Sequence, residues 1–259
     1  MLKINEERTV ERITEWMEKK IHKAGFTKAV LGLSGGIDSA VVAYLAVRAI
    51  GKERVTAIKL PYLTSSKSSV EDADRIISEL GINSEQIDIT RAVDVIDAML
   101  NNPDPKRMGN VMARVRMTIL FDKSAELEAL VLGTSNKTEL MLGYGTLHGD
   151  LASIINPVGG LYKNQVWDLA RYLEIPEDII NKAPSADLIE GQTDEGDFGF
   201  TYKQADEVLN SIFDEKNSKL DTSNLGYTLD QINEVLDRVR FNEYKSEVPY
   251  IYDPKAVLI

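Results

Sequence analysis

The sequence predicts an α/β fold built around a doubly wound parallel sheet. Short runs with strand character alternate with helical patterns along the first half of the 259 residues, as in successive βαβ units. The loop Ser34-Gly35-Gly36-Ile37-Asp38-Ser39 joins the first such run to a helix, and after residue 133 glycine, serine and threonine become frequent. We therefore expect a single domain over residues 1–259, with a sheet flanked by helices and a helical C-terminal part.

Hydrophobic periodicity predicts the individual elements. The first helix is expected over residues 6–24, where apolar residues recur at helical spacing. Strands are predicted at residues 28–33, 55–60, 86–90 and 130–133. Further helices are predicted at residues 39–50, 68–80, 110–130, 164–173, 202–215 and 228–241. The acidic stretch 184–201 has little periodicity, which is typical of a mobile functional loop or of a disordered linker.

Composition excludes several classes of site. The chain contains no cysteine, so disulfides, thiolate metal sites and a cysteine nucleophile are excluded, and two histidines are too few for a histidine-rich metal site. A formal net charge of −11 opposes nucleic-acid binding. With no apolar run of about 18 residues and no apolar signal core at the N-terminus, we expect a cytoplasmic protein without a membrane span.

The loop at residues 34–39 has the composition of a phosphate site. It lacks the lysine of a Walker A loop but offers glycine backbone, two hydroxyls and one carboxylate. Bare phosphate would repel Asp38, so this residue suits a Mg²⁺ ion that bridges phosphate oxygens. The pattern therefore indicates cleavage of ATP between its α and β phosphates. The alternative is a glycine-containing N-cap turn, but the full pattern between strand and helix favours the phosphate loop.

A second candidate cluster, Gly-Thr-Ser-Asn-Lys-Thr-Glu at residues 133–139, also follows a predicted strand. Thr134 could hydrogen-bond a nucleotide, and Glu139 could supply a second magnesium carboxylate. An ordinary helix start, with a hydroxyl cap and an acidic first turn, explains the same residues equally well.

The sequence resembles a known family at several motifs. Residues 34–39 are similar to the signature of the N-type ATP pyrophosphatases, which have an adenine nucleotide alpha hydrolase-like fold. Within that superfamily the chain resembles the NAD synthetases, in order, from about residue 10 to 250. The motifs that carry this resemblance lie at residues 133–139, 143–146, 149–150, 156–159, 161–166, 184–188 and 191–195.

The resemblance implies a reaction and its partners. It implies ammonia-dependent amidation of nicotinic acid adenine dinucleotide to NAD, driven by ATP cleavage through an adenylated dinucleotide, with Mg²⁺ as cofactor. The absence of cysteine agrees with ammonia rather than glutamine as nitrogen source. The family also implies a homodimer, which needs an apolar face on a long helix such as 110–130. Another ATP-pyrophosphatase ligase, acting on a nucleobase or tRNA, and a non-catalytic nucleotide-binding module remain alternatives.

The resemblance also implies roles for particular residues. Asp38 and Lys163 are expected to be catalytic, and Asp38 and Glu139 to bind Mg²⁺. Residues expected to bind ATP are Gly32, Leu33, Ser34, Gly35, Gly36, Ile37, Asp38, Ser39, Thr134, Lys163 and Ser185. Residues expected to bind the dinucleotide are Arg114, Leu147, Ile154, Tyr244 and Lys245.

Two of these positions depart from the family pattern. Many members have lysine at the position of Leu147 and aspartate at that of Ile154, so we expect His148 or backbone groups to replace those contacts. The segments 63–69 and 187–200 are candidate lids over the adenylate. A serine-capped turn is an equal alternative for the first, whereas length and acidity favour the lid for the second.

Overall fold

A computed structural model describes residues 2–101, 104–185, 193–246 and 248–252. Its parallel sheet has the strand order β3-β2-β1-β4. The strands are β1 (Lys28–Gly32), β2 (Val55–Lys59), β3 (Asn83–Gln86) and β4 (Ala129–Val131). Because the chain runs outward from β1 to β3 and then crosses to β4, the strand order reverses between β1 and β4. The loops that leave these two strands therefore border the crevice where such sheets bind ligands.

Helices cover both faces of this sheet and form the C-terminal part. They are α1 (Glu6–Lys23), α2 (Ile37–Ile50), α3 (Lys67–Leu80), α4 (Thr90–Leu100), α5 (Pro105–Leu127), α6 (Lys137–Leu142), α7 (Lys163–Tyr172), α8 (Glu177–Ile180), α9 (Asp194–Phe198), α10 (Tyr202–Leu209), α11 (Lys219–Ser223) and α12 (Leu229–Asn242). A π-helical turn, Asn210–Asp214, extends α10. None of the described helices combines the length and apolar character that crossing a bilayer requires.

Three hydrophobic cores hold these layers together. In β1, Ala29 and Leu31 pack in a core with α1, α2 and α7, whereas Val30 belongs to a second core with α4 and α5. The strand is therefore buried on both faces, as expected for a doubly wound sheet. A third core joins α6, α10 and α12 around residues such as Leu142, Tyr202 and Ile232. The predicted α/β class and helical C-terminal part are confirmed.

The structure corrects the predicted third strand. The prediction placed it at residues 86–90, but β3 spans Asn83–Gln86 and residue 90 already begins α4, a helix that periodicity did not reveal. All four residues of β3 are exposed at the sheet edge, so no apolar pattern marks the strand. The apolar Ile87 and Ile89 belong to the following loop, where Ile89 is fully buried.

Smaller differences concern the element ends. The long helix predicted at 110–130 is α5, which begins at Pro105 after an Asp104 cap and ends at Leu127, so that β4 can start at Ala129. The predicted helix 202–215 comprises α10 and its π-helical turn, and the helix 228–241 corresponds to α12. The short helices α8, α9 and α11 were not predicted because none exceeds five residues.

Candidate active site

The loop between β1 and α2 depends on a close backbone approach at Gly35. This residue has φ +80°, and a methyl group there would overlap the Ser69 carbonyl at the start of α3. Glycine is therefore required both for the left-handed backbone and for space. Gly36 has φ −86° and extended backbone, so only one of the two glycines uses the conformational freedom that the sequence offered.

The two loop hydroxyls brace this backbone. Ser34 Oγ accepts from the Gly36 N–H at 3.2 Å and lies 3.1 Å from Ser39 Oγ, which donates to the Gly36 carbonyl at 3.0 Å. Helix α2 begins directly afterwards, at Ile37. The N–H groups of its first turn have no acceptor within the helix and carry the positive end of its dipole. This arrangement would suit an anion such as phosphate, and phosphate binding by the loop stays a prediction.

A charged cluster beside the loop brings together three residues to which the resemblance gave roles, Asp38, Glu139 and Lys163. Lys163, at the start of α7, is buried with 1% of its side chain exposed, and its ammonium pairs with Asp38 on α2. The same nitrogen lies 3.7 Å from Glu139 Oε1, and Asn136 Nδ2 donates to Asp38 Oδ1 at 3.0 Å. Burial lowers the pKa of Lys163, but the Asp38 and Glu139 carboxylates outweigh that effect, so the pKa stands above its usual value.

Glu139 serves as a helix cap and as a member of this cluster. Its Oε2 accepts from the Asn136 N–H at 3.1 Å, while Asn136 Oδ1 accepts from the Glu139 N–H at 3.0 Å. This capping box is the ordinary helix start that the sequence allowed, yet the other carboxylate oxygen still faces Lys163. Burial and then the Asp38 carboxylate raise the pKa of Glu139 to about 8.

The donor set fits a magnesium ion. When Asp38 and Glu139 are both ionised, they carry one negative charge more than Lys163 neutralises, and their oxygens are hard ligands. Mg²⁺ typically takes one or two carboxylates and completes its shell with phosphate oxygens and water. In the part of the chain that the structure describes, no group of three or more acidic or histidine side chains could hold a metal by itself. Asp38 and Glu139 are thus the residues that would hold the ion.

Sequence reasoning missed a third carboxylate at this site. Asp194, at the start of α9, is 4% exposed and accepts from Tyr202 OH at 2.7 Å and from Tyr144 OH at 3.0 Å. Tyr202 OH also lies 3.4 Å from Glu139 Oε1, so it links the two acids. Burial raises the pKa of Asp194. The one sequence signal was its place in the motif at residues 191–195, because no periodicity connects these positions.

A second buried carboxylate fixes the backbone of Lys163. Asp206 on α10 is fully buried and accepts from Thr138 Oγ1 at 2.5 Å and from the Asn164 N–H at 2.8 Å. Thr138 Oγ1 in turn accepts from the Lys163 N–H at 3.0 Å. Burial raises the pKa of Asp206 despite these donors. The network joins α6, α7 and α10, and no sequence pattern predicted it.

Two other residues expected to bind ATP, Thr134 and Ser185, lie outside the loop in different segments of the chain. Thr134 is half-buried in the segment that follows β4, the strand paired with β1. Ser185 is exposed, in the segment after α8. Their contact with ATP stays a prediction.

The two candidate lids differ in what the structure describes. In the first, Ser65 Oγ accepts from the Tyr62 N–H at 3.1 Å, which forms the turn that composition allowed. Of the second, residues 187–192 lie outside the described residues. Its described end is anchored, because Phe198 and Phe200 pack in the third core and the Asp194 N–H donates to the Pro184 carbonyl at 3.0 Å. A lid function of either segment remains a prediction.

Three of the residues expected to bind the dinucleotide lie around the 143–150 loop. Arg114 Nε donates to the Leu147 carbonyl at 3.3 Å, and Lys245 Nζ donates to the Gly143 and Gly145 carbonyls at 2.7 and 3.0 Å. The Tyr244 side chain is 48% exposed.

Ile154 lies beside the end of β4, where its N–H donates to the Val131 carbonyl at 3.1 Å and its side chain is 55% exposed. His148 is exposed, with φ 57°. The Leu147 backbone thus makes a polar contact that its side chain cannot make. Binding of the dinucleotide at these positions stays a prediction.

Comparisons with known proteins find similar sequences over nearly the whole chain. The family model described as NAD synthase matches residues 9–249. An NH(3)-dependent NAD(+) synthetase of Fusobacterium nucleatum is 48% identical over 253 residues, which cover 96% of this chain and 97% of the relative.

Solved structures extend the similarity to the fold. The NH3-dependent NAD synthetase of Campylobacter jejuni, solved with a nitrate ion, is 34% identical with a TM-score of 0.83. An NMN synthetase of Francisella tularensis is 30% identical with a TM-score of 0.86. Both alignments cover 97% of this chain and 100% of the other. A family match of this extent, on a fold with the phosphate loop at its switch point, shows that the chain belongs to the NAD synthase family.

Proposed function

We propose that this protein converts nicotinic acid adenine dinucleotide to NAD, using ammonia and ATP and releasing AMP and pyrophosphate. Relatives nearly half identical over most of the chain carry that activity in their names. The observation that carries the proposal is the Asp38–Lys163–Glu139 cluster beside the phosphate loop. A non-catalytic nucleotide-binding module would not need two carboxylates and a buried lysine at that place.

The first step joins two anions. A carboxylate oxygen of the nicotinate attacks the α-phosphorus of ATP, the bond to the bridging oxygen breaks, and pyrophosphate leaves. The Lys163 ammonium and the N-terminus of α2 offset the repulsion between the reactants. A bound Mg²⁺ supplies further positive charge to the phosphate oxygens. The carboxylate is already a nucleophile, so no histidine base is needed, and the chain has only two histidines.

The second step uses ammonia. Its nitrogen attacks the acyl carbon, the bond between that carbon and the AMP oxygen breaks, and the surplus nitrogen proton is released. The chain has no cysteine with which to release ammonia from glutamine. We therefore expect free ammonium to support the reaction and glutamine to fail.

A product assay tests this proposal. The protein is supplied with ATP, Mg²⁺, ammonium and the dinucleotide, and NAD, AMP and pyrophosphate are quantified; all three should appear in equal amounts. A parallel reaction with nicotinic acid mononucleotide tests the activity named for the Francisella relative. AMP without NAD, preferential use of the mononucleotide, or turnover with glutamine would each contradict the proposal.

We infer that the protein forms a homodimer through α4. The side chains of Val95, Ile96, Met99 and Leu100 are 36–80% exposed on this helix. Among the described residues of α5, the helix first considered for this face, no large apolar side chain is exposed to that degree, which supports the choice of α4. Contiguous exposed apolar surface of this kind is typical of protein interfaces.

A further inference from the structure

An ion pair next to the phosphate loop has no role in the scheme above. Lys182 lies between α8 and Ser185, and its ammonium pairs with Asp72 Oδ2 of α3 at 2.7 Å. The same nitrogen donates to Ser69 Oγ at 3.2 Å. One side chain thus joins the Ser185 segment to the first turns of α3.

Both partners of Lys182 pack against the phosphate loop. The Ser69 carbonyl occupies the space that a side chain at Gly35 would need, and Asp72 Cβ lies 3.2 Å from the same point. The left-handed backbone of Gly35 is therefore packed directly against α3. Lys182 thus ties α3, which borders the loop at Gly35, to the segment that contains Ser185, a residue expected to bind ATP.

A second ion pair joins the same parts of the chain without reaching the loop. Arg75 Nη1 pairs with Asp178 Oδ2 at 2.8 Å, and these side chains are 48% and 63% exposed. Lys182 and Asp72 are 31% and 19% exposed. Because exposed pairs contribute little, Arg75–Asp178 gives a matched control that crosses the same gap at the surface.

We propose that the Lys182–Asp72 ion pair is a positioning device for ATP. It keeps the Ser185 segment and the first turns of α3 at a fixed separation around Gly35, so that the walls of the phosphate site are in place before the nucleotide binds. This inference rests on the proposed function, because it takes ATP to be the ligand of the loop.

Kinetics of Lys182 variants test the proposal. In K182M and D72N, the KM for ATP should rise about tenfold, whereas kcat and the KM for ammonium should change less than about twofold, since the reacting groups are untouched. K182R should restore most of the ATP affinity. In the charge swap K182D/D72K, the KM for ATP should rise less than the single variants K182D and D72K together predict, because the swap restores the ion pair.

Two controls make the test decisive. R75M and D178N should keep the wild-type KM for ATP. If the KM for ATP rose in these variants as much as in K182M, Lys182 would have no specific effect on the site, and the proposal would be overturned. A wild-type KM for ATP in K182M would overturn it as well. Calorimetry of a non-hydrolysable ATP analogue on every variant reports binding without turnover. A wild-type protein that binds the analogue but forms no NAD would contradict the proposed function alone.

Discussion

At the scale of single residues, the buried Lys163 ammonium organises the site. A buried charge is tolerated only when it is paired and hydrogen-bonded. Asp38 and Glu139 provide the pairing, and the Tyr202 ring lies 5.0 Å below the ammonium. The Asp206–Thr138 network holds the Lys163 backbone. The side chain therefore has little freedom, which favours a preorganised electrostatic role toward phosphate.

Tyr202→Phe should separate the packing role of this residue from its hydrogen bonds. The variant keeps the ring beside Trp167 and Lys163 but removes the hydroxyl that contacts Asp194 and Glu139. Leaving a buried acceptor unsatisfied should lower the free energy of unfolding by about 1–3 kcal/mol. Because Glu139 loses a neighbour that orients it, binding of Mn²⁺ with an ATP analogue, followed by electron paramagnetic resonance, should also weaken.

Tyr144→Phe is the matched control for this variant. The Tyr144 hydroxyl contacts Asp194 and Asp197 but does not contact Glu139. The Tyr144→Phe variant should have a lower free energy of unfolding in urea denaturation, and its Mn²⁺ binding should be unchanged. If both variants weakened metal binding equally, the orienting role of Tyr202 would be wrong.

The raised pKa of Glu139 predicts a pH dependence of stability. With a pKa of about 8 in the folded protein, Glu139 keeps a proton that the unfolded chain has released near its usual pKa. The metal-free protein should therefore lose stability as the pH rises from 5 to 8, by at most about 1.4 kcal/mol per unit from this group. E139Q cannot titrate, so its stability should fall less steeply in urea unfolding with chelator. If the free energy of unfolding fell equally steeply with pH in the wild-type protein and in E139Q, the raised pKa of Glu139 would be contradicted.

At the scale of elements, two helix starts meet at one edge of the sheet. Helix α2 follows β1 and α6 follows β4, and these neighbouring strands run parallel. Asp38 and Glu139 are therefore brought together although 101 positions separate them in the sequence. The topology therefore places the loop after β1 and the segment after β4 at the same switch point.

Gly35→Ala tests the contact between the loop and α3. The substitution forces a left-handed backbone on alanine and places its methyl group against the Ser69 carbonyl. We expect a loss of about 1–3 kcal/mol in the free energy of unfolding, together with loss of ATP binding. Gly160→Ala is the control, because a side chain there meets no atom within 4 Å and the backbone is unstrained. Equal stability of the two variants would exclude this contact as a constraint.

Prediction from sequence succeeded where local chemistry marks the structure. The buried strand β1 and the loop after it carry clear patterns, so their fold and position were predicted correctly. The prediction of the edge strand β3 was wrong because its exposed residues have no apolar pattern. The apolar Ile87 and Ile89, which suggested a strand, lie in the loop beyond it.

In the site, Asp38, Glu139 and Lys163 were anticipated from the motifs that carry the family resemblance. Asp206 and Tyr202 were not, because their contacts with Thr138 and Glu139 connect residues 68 and 63 positions apart, respectively. These residues meet because α6 packs against α10, and no spacing in the sequence predicts that packing.

At the scale of the whole molecule, the net negative charge of the protein opposes the binding of anionic substrates. The chain carries a net charge of −11, yet its proposed substrates are anions. Under the proposed function, binding would depend on local positive groups, such as Lys163 and the N-terminus of α2, and on the proposed magnesium ion. A field of this sign also disfavours nucleic acid, which argues against a tRNA substrate.

The apolar face of α4 predicts the oligomeric state. Met99→Asp places a charge at the most exposed apolar position of that face, where the side chain is 80% exposed. If two copies pack through α4, the variant should be monomeric in light scattering at concentrations where the wild-type protein is dimeric. Trp16→Asp, on α1 and 38% exposed, is the control and should remain dimeric. An unchanged mass for Met99→Asp would exclude α4 as the interface.

The route of oxygen tests the central claim most directly. The dinucleotide is labelled with ¹⁸O in its nicotinate carboxylate and incubated with the protein, ATP, Mg²⁺ and ammonium, and the products are analysed by mass spectrometry. If the carboxylate attacks the α-phosphorus, one labelled oxygen must leave with AMP and the other must stay in the amide of NAD. Label in pyrophosphate or phosphate, or unlabelled AMP beside newly formed NAD, would contradict the mechanism.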